Sequence, residues 1–204
     1  MTENKPAMFK LFDMYDVSAI EIKDNALKPY MNFGGKLLVK SYGRRNTQLL
    51  GNTKVNLIER IANRLQVPGH VGKKHKYITS WSSGHYNKTM KIVMRALAII
   101  EKQTGKNPIQ VVSTAIENGS PKDEITVIEQ GGARYPQAVD TSPIRRINLA
   151  VRWFIVGAYG KSFGKKKKIA ETLAAEIINA YNGSMDSYAV SKRNETEKQA
   201  DSAR

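Results

Sequence analysis

Three histidines, His70, His75 and His85, share one polar stretch, spaced five and ten residues apart. Imidazoles hold zinc, but two ligands on one helical face need i, i+4 spacing, and no Asp, Glu or Cys lies close enough in the chain to complete a shell. The chain has no cysteine, which rules out disulfides and thiolate-held zinc or iron–sulfur centres and fits a reducing, cytoplasmic setting. "GAYGKSFGKKKK" reads G-x-x-G-K-S, two residues short of a phosphate loop, and does not follow a strand. Hydrolytic chemistry fares no better. Acids are sparse between residues 31 and 128, and no Ser/His/Asp set or carboxylate pair stands in a glycine-rich context. The residues therefore predict a protein that is not an enzyme and uses neither metal nor cofactor.

What they do support is anion binding. Lys and Arg number 33 against 18 Asp and Glu, a net charge of +15. Residues 1–30 carry four basic and five acidic groups, whereas residues 31–100 carry thirteen basic groups and one acid, Glu59. A folded body with that charge density repels itself unless a polyanion screens it. The runs "GKKHK" (72–76) and "GKSFGKKKK" (160–168) set lysine beside glycine, where ammonium and backbone can both approach a phosphate. "GGARYPQAVDTSPIRRINLAVRWF" (131–154) holds Arg134, Arg145, Arg146 and Arg152 against one acid, Asp140. The guanidinium fork is planar, permanently charged and matched to phosphate oxygens. These four side chains are expected to be exposed, with no carboxylate partner in the chain. Tyr42, Tyr77, Trp81, Tyr86, Tyr135 and Trp153 are interleaved with the cations and offer faces for unpaired bases, or else partial burial in the core.

Those cations need elements to position them. The length allows one domain with extensions. Residues 1–52 have weak periodicity and read as a largely irregular N-terminal extension, ending in the basic "SYGRRN". Residues 53–186 read as a helical RNA-binding domain, and 187–204 as a polar C-terminal helix or tail. A helix starting near Asn52 or Thr53 puts Val55, Ile58, Ile61 and Leu65 on one stripe, with Arg60 and Arg64 together on another face. After the polar stretch 67–87, Asn87 is expected to cap a second helix that ends at Gly105. Asn107-Pro108 opens a third helix, reaching Gly119. Gly131-Gly132 joins two strands in a hairpin at about 125–139, which needs support from outside because a lone ribbon is marginal in water. Ser142-Pro143 is expected to cap and start a helix on which Arg145 and Arg152, seven residues apart, nearly superimpose beside Asn148. A last core helix follows the lysine run, with Ile169, Leu173, Ile177 and Ala180 on one stripe. The fold class is mainly α: about six bundled helices, one protruding two-stranded β-hairpin and an extended N-terminal segment. No stretch is apolar for long enough to span a membrane.

Four blocks in order, "TGKNPIQVVSTAIENGSPKDE", "GGARYPQAVDTSPIRRINLAVRW", "KKIAETLAAEIINAYNGS" and "SYAVSKRNETEKQADSAR", closely resemble the small-ribosomal-subunit protein seven family in its archaeal–eukaryotic branch. The likeness runs from about Leu11 to Arg204. It implies a six-helix bundle with a projecting β-ribbon that binds the 3′ major domain of 16S-type rRNA and starts assembly of the subunit head. It also implies that the ribbon lies near the exit-site tRNA and the mRNA exit path, with small-subunit protein eleven as a neighbour. Carried over motif by motif, the rRNA contacts are Lys73, Lys74, Arg145, Arg146 and Arg152. Gly131, Gly132 and Arg134, with Tyr135 beside them, form the ribbon tip near tRNA. The remaining basic runs add Arg44, Arg45, Lys76, Lys88, Lys161, Lys165, Lys166 and Lys167 as expected rRNA contacts. The segment 67–87 is longer than the connection in many members, and "YITSWSSGHY" matches no family motif.

The leading expectation is a cytoplasmic, structural RNA-binding protein of the ribosome. A basic helical DNA-binding or chromatin protein is the alternative, and would bind duplex DNA as tightly as structured RNA. An RNA-modifying enzyme is a third reading, disfavoured by the missing acid–base set.

Overall fold

A computed structural model describes residues 10–45, 47–69 and 82–204. Among these residues, six α-helices and one hairpin follow in the order α1 (Leu57–Leu65), α2 (Tyr86–Thr104), α3 (Pro108–Gly119), β1 (Asp123–Gln130), β2 (Ala133–Asp140), α4 (Pro143–Ser162), α5 (Ile169–Tyr181) and α6 (Tyr188–Ser202). The mainly helical class and the single hairpin agree with the sequence reading. α5 lies at the centre and packs against α2, α3 and α4, while α1 packs on α2 and α4. Its stripe is small and apolar: Leu173, Ala174 and Ala180 are fully buried. No described helix is long and apolar enough to cross a membrane.

Side-chain caps set the starts of α1, α3 and α6, whereas Ser142 stands at the cap position of α4 without the side-chain bond expected of it. Asn107 accepts a hydrogen bond from the Ile109 amide, with Pro108 in the first turn of α3. Gly105 closes α2 at φ 63°, a left-handed conformation that costs glycine nothing. Two helix starts differ from expectation. α1 begins at Leu57 rather than near Asn52, because Asn56 caps it through the Ile58 amide and residues Gly51–Lys54 form a separate 3-10 turn. α2 begins at Tyr86, ahead of Asn87, with His85 at the cap position and no side-chain capping bond. The Tyr86 hydroxyl donates to the Val39 carbonyl, tying that first turn to the N-terminal segment.

That segment lies on its own helices. Leu11, Leu27, Met31, Phe33 and Val39 are buried in the same hydrophobic cluster as the bundle. Polar ties fix it as well. Glu59, buried on α1, accepts from both the amide and the hydroxyl of Ser41 at 2.7 Å.

The hairpin pairs Asp123 with Asp140 at its base and Gln130 with Ala133 at its tip. Gly131 (φ 61°) and Gly132 (φ 80°) supply the two positive φ values of a type I′ turn. Its outer half is exposed on both faces, so the strands have no core of their own. Support comes at the base. The Lys122 amide donates to Glu197 of α6 at 2.9 Å, and Arg204 pairs with Asp123 at 2.7 Å. α6 is docked on the body too: the fully buried Glu176 accepts from the Ser187 hydroxyl and from Lys161 Nζ.

Candidate nucleic-acid interface

Arg60 and Arg64, four residues apart, stand on one face of α1, opposite Asn148 and Arg152 of α4. Together with Asn52, Asn63 and Val151 they line one pocket, which contains three guanidinium groups and no carboxylate. Arg60 is the buried member, 6% exposed. Its Nη2 donates to Asn148 Oδ1 at 2.7 Å and its Nη1 to the Tyr30 carbonyl at 3.4 Å, so both acceptors are neutral. Burial alone lowers its pKa to about 10, and it stays charged at neutral pH. Burial and the nearby Arg152 charge also hold Arg64 below the usual guanidine value. Three like charges sharing one pocket with no acid in its lining repel each other, and an anion entering the pocket offsets that repulsion.

The surface continues along α4. Arg145, Asn148 and Arg152 line a second depression with Leu50, which brings the N-terminal strip onto this helix. The Ser41–Glu59 tie holds the start of that strip, and Arg44 and Arg45 follow it, exposed. Lys40 Nζ lies 4.6 Å from the ring centroid of Tyr42 and 5.3 Å from that of Tyr86. Tyr42 remains exposed, whereas Trp153 packs against the core, the quieter of its two expected roles.

The arginines of the 131–154 stretch do not all behave as expected. Arg146 is 7% exposed: its Nη2 pairs with Asp24 Oδ2 at 2.7 Å and also faces Ser120. It lies one step round the helix from Arg145, on the side where Ile147 and Ala150 enter the core. Arg145 is exposed but paired with Glu124 of β1, and Arg134 lies 3.5 Å from Glu129 across the ribbon. The expectation that all four lack carboxylate partners therefore fails for three of them. The partners come from the hairpin and from residue 24, far off in sequence. Arg152 alone of the four has no carboxylate partner among the described residues. Lys161, counted with the exposed lysine run, is instead spent on Glu176 at 2.7 Å and on the Asp186 carbonyl at 2.8 Å.

A second basic patch lies elsewhere. Lys88 on α2 and Lys168 at the start of α5 line one groove, and Lys165, Lys166 and Lys167 are exposed just before it. Tyr135 is exposed near the ribbon tip with Gly131, Gly132 and Arg134. Lys73, Lys74 and Lys76 lie outside the described residues, as do His70, His75, Tyr77 and Trp81.

Residues 38–204 match the model of the family described as ribosomal protein S7p/S5e. The chain belongs to that family. Small ribosomal subunit protein uS7 of Nanoarchaeum equitans (strain Kin4-M) is 46% identical over 195 residues, covering 96% of this chain and 98% of the relative. The proteins of the same name from Methanococcus maripaludis (strain DSM 14266) and Picrophilus torridus are 38% and 39% identical, each over more than nine-tenths of both chains. These archaeal relatives fit the archaeal–eukaryotic branch indicated by the four sequence blocks. A member of the S7p/S5e family is a structural, RNA-binding component of the translation machinery and not an enzyme.

Proposed function

We propose that this protein binds the 3′ major domain of small-subunit rRNA and nucleates assembly of the subunit head. Its hairpin tip (Gly131, Gly132, Arg134, Tyr135) lies near the exit-site tRNA and the mRNA exit path, and small-subunit protein eleven is a neighbour. The observation that carries the RNA contact is the α1–α4 pocket, where Arg60, Arg64 and Arg152 converge with no acid in its lining. Such a pocket accepts a backbone phosphate, which positions a protein on RNA. Arg44, Arg45 and Arg145 extend that surface. Lys88, Lys165, Lys166 and Lys167 add a separate basic patch, and Lys73, Lys74 and Lys76 are assigned to rRNA on sequence. Arg146 and Lys161 act on this surface indirectly, by holding α4 and α6 in place.

The test is a competition at fixed salt. The full chain is titrated with a transcript of the 3′ major domain, a transcript of the 5′ domain and duplex DNA of matched length. Preference for the 3′ major transcript is expected. Equal affinity for duplex DNA would favour the chromatin reading, and equal affinity for the two transcripts would leave only non-specific charge.

A further inference from the structure

Arg152 belongs to two pockets. On one side it joins Arg60 and Arg64 between α1 and α4; on the other it lines a smaller hollow between α4 and α6 with Trp153, Val156, Tyr188, Lys192 and Glu195. The chemistry changes across that one side chain. The first pocket is cationic, while the second has two aromatic residues and an aliphatic one for walls. Trp153 packs on the core, and the part of it left uncovered lines the hollow. Tyr188 is brought beside it by a close approach of the two helices. Gly157 stands four residues after Trp153 on the same face of α4, and a Cβ there would come within 2.6 Å of the Tyr188 Cβ. The buried Glu176 fixes that turn of α6, accepting from the Ser187 hydroxyl at 2.8 Å and from the Ala189 amide at 3.3 Å. At the rim Glu195 is already matched: its carboxylate lies 2.5 Å from Lys192 Nζ, which in turn lies 6.0 Å from the Tyr188 ring centroid.

We infer, on the basis of the rRNA-binding function, that the two pockets hold one extruded nucleotide. Its phosphate sits among the three guanidinium groups and its base rests in the α4–α6 hollow against Trp153 and Tyr188. Any base has a flat face for aromatic walls, and a guanidinium between the pockets serves ring and phosphate together. A second phosphate is the poorer occupant of the hollow, because Glu195 stands at its rim and the walls are apolar. An apolar protein side chain would suit the walls but brings no anion to the guanidinium groups on the far side of Arg152. The class selected is a looped or bulged nucleotide, since leaving the stack costs least where the base is already unpaired.

Trp153 is its own reporter. The chain has two tryptophans, so Trp81→Phe leaves Trp153 as the sole indole of the full-length protein. Titration with the 3′ major-domain transcript at fixed salt should quench it, because a base in contact with an indole quenches its emission. Tyr188→Ala should lower affinity about tenfold, and Tyr188→Phe by less than about threefold. Neither should alter the slope of affinity against salt, whereas Arg152→Ala should reduce that slope by about one phosphate. Thr196→Phe, which fills the hollow from its rim, should match Tyr188→Ala, and it remains readable should that variant loosen α6. Transcript binding that leaves Trp153 emission unchanged, or full affinity in Thr196→Phe, overturns the nucleotide site and leaves the rRNA-binding function standing. A smaller salt slope in Tyr188→Ala overturns it as well, by making Tyr188 a support for nearby cations. Failure of the parent chain to prefer the 3′ major-domain transcript over the 5′ one would remove that function, and the site with it.

Discussion

Arg146 and Arg152 sit on one helix and do opposite work. Arg146 is buried against Asp24, and removing it leaves a carboxylate that is itself largely covered. Arg146→Ala should therefore cost about 2–3 kcal/mol of stability. Its pH signature is specific. Burial, the largest influence on Asp24, pushes its carboxyl pKa up, but the hydrogen bond from Arg146, the Ala26 amide and the Arg146 charge together outweigh it and leave the pKa lowered. A lowered folded pKa means stability that is present above the ordinary carboxyl value and is lost as pH falls through the folded one. Denaturant titrations from neutral pH down into that acid range should show this loss in the parent protein and a smaller one in Arg146→Ala. Arg152→Ala should do the reverse: unchanged or slightly raised stability, because Arg64 loses a like charge, and rRNA affinity lowered about tenfold or more. An unchanged dissociation constant at fixed salt would remove Arg152 from the interface. The two roles were only half legible in the sequence. Arg145 and Arg152 share a helical face, which the seven-residue spacing reveals, but Asp24 lies 122 residues from Arg146, and nothing local announces the pair. Arg60 and Arg64 were visible as a pair on α1. Their partner helix was not, because the α1–α4 crossing exists only in the folded bundle.

At the scale of elements, local chemistry was readable wherever one residue decides a backbone conformation. Gly105, Asn107-Pro108 and Gly131-Gly132 each do what their types dictate. Starts set by distant contacts were not readable: α2 begins at Tyr86, whose hydroxyl is tied to Val39 on a segment 47 residues away. The N-terminal segment gave no period because it packs through scattered single side chains, among them Leu11, Leu27 and Phe33, on a surface the bundle makes. The hairpin follows the same division. Its turn is local, while its anchorage through Glu197 and Arg204 depends on α6. Because its outer half touches no core, damage at the tip should stay there. Gly132→Val forces a β-branched residue to positive φ at a cost of about 1–2 kcal/mol. Amide-exchange protection should collapse across the outer strands, while α5 amides and the melting temperature stay as in the parent. A matching fall in melting temperature would mean that the ribbon is part of the cooperative core.

For the whole molecule, one quantity governs both folding and binding: a net charge of +15 in a chain of 204 residues. Three guanidinium groups gathered in one pocket without an acid in its lining concentrate that repulsion at the α1–α4 seam. Added salt should therefore act in opposite directions on the two equilibria. Screening relieves self-repulsion in the compact state, so the free protein's melting temperature should rise by a few degrees as sodium chloride is increased. The same ions compete with counterion release on RNA. If about eight phosphates are neutralised, affinity for the 3′ major transcript should fall by on the order of 10³–10⁵ between about 50 and about 200 mM salt. Calorimetry and filter binding across one salt series test both limbs together. A Tm that fell with salt would mean that internal ion pairs such as Arg145–Glu124 and Arg204–Asp123 outweigh repulsion between like charges. Salt-independent RNA binding would mean that the cations are not what holds the RNA. In the expected case the sites least comfortable in the free protein are the ones RNA relieves, so binding should raise the melting temperature most at low salt, where the repulsion is strongest and the affinity highest.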